Sequence, residues 1–171
     1  RVTDSRPVRT DPQAVAEHVA AIVKSDLFSE ASKRLAGKKL RVGIDAVHGA
    51  ASRAAQELVA ELGAEPVPLW TGSDAHRFPR RPEPTSENLS ELCRLVQQER
   101  LDAGIAFDPD GDRFSCVDET GVALGEEATV CVACRYVLAR RKSPLVGKLS
   151  TTRAVDDVCA EFGVTGQRTP V

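Results

Sequence analysis

The apolar run Ala103-Gly104-Ile105-Ala106-Phe107 stops at Asp108-Pro109-Asp110-Gly111-Asp112-Arg113, and Phe114-Ser115-Cys116-Val117 follows at once. Such a chain has to bury a strand and, one residue later, place three carboxylates where their mutual repulsion can be relieved. The run reads as a strand covered on both faces, as in a parallel sheet. Residues 114–118 read as its antiparallel return, with Cys116 facing inward, and Glu119-Thr120-Gly121 turns the chain again. In near-extended backbone, side chains at alternate positions share a side, so Asp108, Asp110 and Asp112 can converge on one ion. Gly111 lets the loop bend where a Cβ would obstruct it. All three ligands are hard oxygens, which points to Mg²⁺, or to Mn²⁺ or Ca²⁺, rather than to a soft metal.

Upstream, Asp11-Pro12 has the N-cap and first-turn signature of a helix, and Val15, Val19, Ile22 and Val23 recur at helical spacing up to about Leu27. Leu40-Arg41-Val42-Gly43-Ile44-Asp45 reads as a strand, with Val47-His48-Gly49-Ala50 as its exit loop. A helical stripe from Ala51 to Leu62 ends at Gly63, and Pro66-Val67-Pro68-Leu69-Trp70 reads as a strand kept to a sheet edge by its prolines. A Pro- and Arg-rich loop over 71–85 precedes a helix with Leu89, Leu92, Cys93 and Val96 on one face. Strand, helix, strand, helix, strand predicts a mixed, mainly parallel sheet layered with helices, an α/β fold with right-handed crossovers. The Asp loop then lies at the carboxyl end of a strand, where open α/β sheets place ligands. From about Gly125 a new unit begins: a helix over 128–139, a strand over 145–149 and a helix over 155–162 stopped by Gly163. The expected organisation is an extended linker at 1–10, an α/β metal-loop domain at 11–120 and an incomplete second α/β unit at 121–171.

With 42% hydrophobic and 28% charged residues, the chain has a globular make-up, and its net charge of −2 gives no reason to expect nucleic acid or an anionic membrane as partner. No apolar stretch approaches the roughly 18–20 residues of a membrane span, and the start lacks a signal-peptide pattern. Five cysteines without framework spacing suggest a reducing compartment, so the cytoplasm is expected. The chain has no methionine and begins with Arg1, which suggests a piece of a longer product.

Several readings of the Asp loop compete. An EF-hand would use Asp108, Asp110, Asp112 and Glu119, but it needs glycine where Arg113 stands, and helical flanks. A haloacid-dehalogenase-type phosphatase would use Asp108 as nucleophile and Asp110 as general acid/base; Asp112 replaces the usual Thr or Val, and that motif normally opens its domain. A solvated acidic turn, or a non-catalytic divalent-ion module, is also open. The whole stretch from Ala103 to Arg113, however, resembles the metal-binding loop of the α-D-phosphohexomutases, the phosphoglucomutase/phosphomannomutase family. Val42-Gly43-Ile44-Asp45 with Val47-His48-Gly49-Ala50, Phe78-Pro79 with Pro82-Glu83-Pro84, and Glu87-Asn88-Leu89 resemble segments of that family's second domain in order. Residues 145–152 and the closing Arg168-Thr169-Pro170-Val171 resemble the first half of its third domain.

The resemblance implies an enzyme that moves a phosphoryl group between the 1- and 6-positions of a hexose phosphate, through a phosphoserine and a bisphosphorylated sugar. It implies that Asp108, Asp110 and Asp112 bind Mg²⁺, that Arg113 lies near the phosphoryl group, and that the partners are a hexose phosphate substrate and the remaining domains of the parent enzyme. No Ser-His pair of the phosphoserine motif occurs, and Gly125-Glu126 continues as Glu127-Ala128 rather than as the family's sugar loop. No catalytic residue is therefore assigned, and the chain alone is expected to be silent in turnover and to hold the ion weakly. Cys131 and Cys134 read as small core-facing residues one helical turn apart, His18 as solvent-facing, and Asp156-Asp157 as complementing a helix dipole. For His48 a role as a ligand or beside the ligands competes with a backbone-bonded loop histidine. For His76, Arg77, Arg80 and Arg81 phosphate attraction competes with a solvated loop.

Overall fold

The computed structural model describes residues 11–72 and 77–171. The linker expected at 1–10 and His76 lie outside the described residues.

Helix α1 (Ala14–Val23) is not continued to Leu27: it stops, and α2 (Asp26–Leu35) begins on a new axis. Ser25 causes the break, because its extended backbone and its Oγ, which accepts from the Phe28 N–H at 3.2 Å, cap α2. Then follow β1 (Arg41–Asp45), α3 (Ala51–Glu61), β2 (Glu65–Trp70), a 3₁₀ turn (Ser86–Asn88), α4 (Ser90–Glu99), β3 (Ala103–Phe107) and β4 (Phe114–Val117). The sheet order is β2-β1-β3-β4, parallel except for the β3–β4 hairpin. Strand β2 is at the edge, as its prolines require.

The two faces of this sheet are covered unequally. On one, α4 lays Leu92 and Val96 against Leu89, Leu101, Ala106 and Val117. Gly43 and Gly104 are register partners on β1 and β3. Leu92 sits above this pair, 3.0 Å from where a Cβ on either would lie. The absence of side chains there lets α4 approach closely. On the other face, α3 packs Ala55 and Val59 on Ile44, while Ile105 and Phe107 are only half-buried. Strand β3 is thus fully covered on one side rather than on both. Cys116 also departs from expectation: Ser115 and Val117 are the buried residues of β4, and Cys116, register partner of Ile105, is half-buried on the less covered face.

The chain continues through α5 (Glu126–Leu138), β5 (Leu145–Lys148), α6 (Ala154–Phe162) and β6 (Gly166–Thr169). Strands β5 and β6 pair in parallel as a separate two-stranded sheet, so the closing residues form a strand that apolar patterning did not signal. Arg168 donates to the Thr152 carbonyl at 3.1 Å and to Asp156 Oδ1 at 2.8 Å, giving Asp156 a partner besides the helix dipole. Cys131 and Cys134 are half-buried on α5, all five cysteines are free thiols, and His18 is exposed. Among the described residues no helix is long and apolar enough to cross a membrane.

Candidate metal centre

Strand order reverses between β1 and β3: the chain leaves β1 toward β2 on one side and returns through α4 to β3 on the other. The carboxyl ends of β1 and β3 therefore flank a crevice, the usual ligand position of an open α/β sheet. Asp108 is the first residue beyond β3 and is buried, while Asp110 and Asp112 are exposed. One carboxylate oxygen from each lies within 4.8 Å of the others.

The convergence comes from a tight turn rather than from near-extended backbone. Gly111 N–H donates to the Asp108 carbonyl at 3.2 Å, with Pro109 second and Gly111 fourth in the turn. Gly111 has φ +77°, a value open to glycine at little cost. Arg113 N–H then donates to Asp108 Oδ1 at 3.1 Å, which brings the chain back over the buried carboxylate. Strands flank this loop on both sides, which removes the EF-hand reading.

Burial alone would raise the Asp108 pKa. The Arg113 N–H, hydrogen bonds with Asp112 and Asp110, and the Gly111 N–H outweigh it, and the carboxyl lies below its ordinary value. Asp112 moves the other way, raised by its hydrogen bond with Asp108 and by the charges of Asp110 and Asp108. Three carboxylates this close resist full ionisation. A hard divalent cation relieves that repulsion, and the all-oxygen donor set suits one.

The β1 exit loop forms the other wall. Val47 (φ 45°) and His48 (φ 58°) both adopt left-handed backbone, strained for a β-branched residue such as Val47. Ala50 N–H donates to the Pro109 carbonyl at 2.8 Å. His48 is held by backbone: its N–H donates to the Trp70 carbonyl at 2.8 Å, and its Nδ1 accepts from Gly72 N–H at 2.9 Å. It is the backbone-bonded histidine of the two readings, and it is not in the carboxylate cluster.

Arg113 Nε lies 3.8 Å from Asp108 Oδ2 and 4.0 Å from Asp112 Oδ1, with half of its side chain exposed. It lines an open cleft of about 470 Å³ with Asp112, Phe114, Glu126 and Thr129. On the opposite side, Val15, His18, Ala51, Ala55, Phe107 and Gly111 line an apolar cavity of about 460 Å³ between α1 and α3.

Arg80 is neither solvated nor free for phosphate, unlike the exposed Arg77 and Arg81. Its Nε donates to Asp45 Oδ2 at 2.6 Å, and the two side chains are 9% and 1% exposed. Its Nη2 donates to the Phe107 carbonyl at 2.9 Å, directly before Asp108. The sequence signals only half of this contact: Asp45 closes a buried strand, and a buried carboxylate needs a cation or several N–H donors, but nothing local names Arg80 as the partner.

The family model described as "Phosphoglucomutase/phosphomannomutase, alpha/beta/alpha domain II" matches residues 16–121, more than half of the chain. A probable phosphoglucosamine mutase of Methanopyrus kandleri is 32% identical over 79% of this chain and 30% of its own length. A phosphomannomutase/phosphoglucomutase of Pseudomonas putida is 30% identical over 83% of this chain and 32% of its own. The crystal structure of a phosphoglucomutase/phosphomannomutase family protein from Burkholderia thailandensis superposes with a TM-score of 0.69 at 26% identity, covering 84% of this chain and 33% of that one. The chain thus spans about a third of the length of these relatives. With its Asp loop at the switch point of a β2-β1-β3-β4 sheet, the chain belongs to the phosphoglucomutase/phosphomannomutase family.

Proposed function

We propose that this chain supplies the Mg²⁺-binding loop of a phosphohexomutase that interconverts hexose 1-phosphate and hexose 6-phosphate. The observation that carries the reading is the meeting of three carboxylate oxygens, one buried and two exposed, at the switch point of the sheet. Asp108, Asp110 and Asp112 are the ligands. Asp108 is held in place by the Arg113 N–H, and the Asp110 and Asp112 carboxylates are exposed. Held by these three carboxylates, Mg²⁺ would supply charge neutralisation to a phosphoryl group in transfer. Arg113 offers a guanidinium fork to the same phosphoryl oxygens, and its half exposure beside the 470 Å³ cleft leaves it free to do so. The phosphoserine that donates the group belongs to another part of the parent enzyme. The metal-loop unit is assigned to 11–120, and a partial third domain to 121–171.

Titration with Mn²⁺ followed by electron paramagnetic resonance tests the ligand set in the 171-residue chain. One ion should bind weakly, and Asp110→Asn or Asp112→Asn, both at exposed positions, should abolish binding without unfolding the chain. Absence of binding, or variants that bind as the parent does, overturns the reading.

A further inference from the structure

One side chain joins the carboxyl ends of β1 and β3, and none of the ligand chemistry above uses it. Arg80 stands in the connection between β2 and α4 and reaches three separate segments. Its Nε donates to Asp45 Oδ2 at 2.6 Å at the end of β1. Its Nη1 donates to the carbonyls of Arg81 and Pro82, each at 2.8 Å, within its own loop. Its Nη2 donates to the Phe107 carbonyl at 2.9 Å at the end of β3. The other Asp45 oxygen, Oδ1, accepts from Val47 N–H at 2.9 Å and so holds the start of the strained exit loop.

We propose that Arg80 and Asp45 are positioning residues for the metal loop, acting through the Phe107 carbonyl on the placement of Asp108. This inference rests on the reading of the triad as a cation site. The peptide unit that carries the Phe107 oxygen also carries the nitrogen and Cα of Asp108, and it is planar. Fixing the direction of that carbonyl therefore fixes where the Asp108 side chain starts. Only a planar fork with several donors can serve Asp45, Pro82 and Phe107 at once, which is why arginine rather than lysine suits the position. Burial leaves Asp45 no substitute for Arg80 in solvent. At 1% exposure Asp45 cannot fall back on water when Arg80 is removed, so the ends of both strands must shift to relieve it.

The geometry predicts a graded effect on metal affinity. Mn²⁺ titration by electron paramagnetic resonance is run on the 171-residue chain and on Arg80→Lys, Arg80→Met and Leu92→Ala, with circular dichroism to establish that each is folded at the temperature used. Arg80→Met should weaken Mn²⁺ binding by about tenfold or more, in the range seen when groups supporting metal ligands are lost. Arg80→Lys keeps the charge on Asp45 but not the full fork, so it should recover part of that loss. Leu92→Ala loosens α4 over Gly43 and Gly104 and should lower thermal stability while leaving Mn²⁺ affinity unchanged. Wild-type affinity in a folded Arg80→Met overturns the proposal, as does an equal loss in Leu92→Ala. If Arg80→Met does not fold, Arg80→Lys decides: undiminished affinity in it overturns the proposal. A parent chain that binds no Mn²⁺ overturns the triad reading itself, a result distinct from unchanged variants of a chain that does bind.

Discussion

Gly49 and Pro109 touch across the crevice between β1 and β3: a Cβ added to Gly49 would lie 2.6 Å from the Pro109 Cα and nearer still to its carbonyl oxygen. Both partners are backbone, so neither can swing aside as a flexible side-chain tip would. The metal loop and the β1 exit loop are therefore fitted to each other, and Ala50 N–H bonds the same Pro109 carbonyl at 2.8 Å.

Gly49→Ala should push Pro109 away and carry Asp108 and Asp110 with it. The expected cost is about 1–3 kcal/mol of stability, as for other overpacked sites. Mn²⁺ affinity should fall together with stability, measured by urea unfolding and by metal titration of the same sample. An alanine variant with unchanged affinity would show that the two loops are not mechanically linked.

Leu92→Ala tests the close approach of α4 to the sheet. Leu92 is fully buried, and the glycine pair beneath it has no side chain that could relax into the space left. The loss should fall toward the upper part of the about 2–5 kcal/mol range for such truncations, read as a lower urea midpoint at constant slope.

Arg113 separates binding of the ion from binding of phosphate. Its guanidinium, 3.8 Å from Asp108 Oδ2, competes electrostatically with a cation for the triad. Arg113→Met should bind Mn²⁺ at least as tightly as the parent. Inorganic phosphate added to the Mn²⁺-loaded chain should bind about tenfold more weakly to the variant, the loss of one charge-assisted hydrogen bond. Isothermal titration of both ligands checks the pair, and a drop in Mn²⁺ affinity would contradict the assignment of Arg113 to the anion.

Most of the first sheet could be read from the chain because its signals are local. The apolar run before Asp108, the prolines of β2 and the stripe of α4 each report their own burial. The carboxylate triad was equally plain, although a turn closed at Gly111 brings it together rather than extended backbone. What escaped depended on single polar contacts. Ser25 splits a helix whose apolar period runs on past it, because one side-chain cap outweighs the pattern. Strand β6 is Gly166-Gln167-Arg168-Thr169, with no apolar alternation, and its Arg168 is spent on Asp156 and neighbouring carbonyls. Arg80 meets Asp45 across 35 positions, and no local pattern announces a partner that distant.

The contact between α2 and α5 gives the last prediction, a pH dependence with a defined sign. Glu30 accepts from Tyr136 OH at 2.9 Å and pairs with Arg140, whose guanidinium stacks 3.2 Å above the Tyr136 ring. The hydrogen bond from Arg140, then that from Tyr136, lowers the Glu30 pKa from 4.5 to about 2. A carboxyl depressed on folding contributes stability that is full above its unfolded pKa. Here the contribution is lost as pH falls from 4.5 through about 2. Tyr136 is the only tyrosine of the chain, so the ¹³Cζ resonance of tyrosine reports this contact without assignment. That resonance should titrate with a midpoint near 2 and stay flat over the same window in Glu30→Gln. A midpoint at the ordinary carboxyl value would mean that α2 is not strapped to α5 in solution.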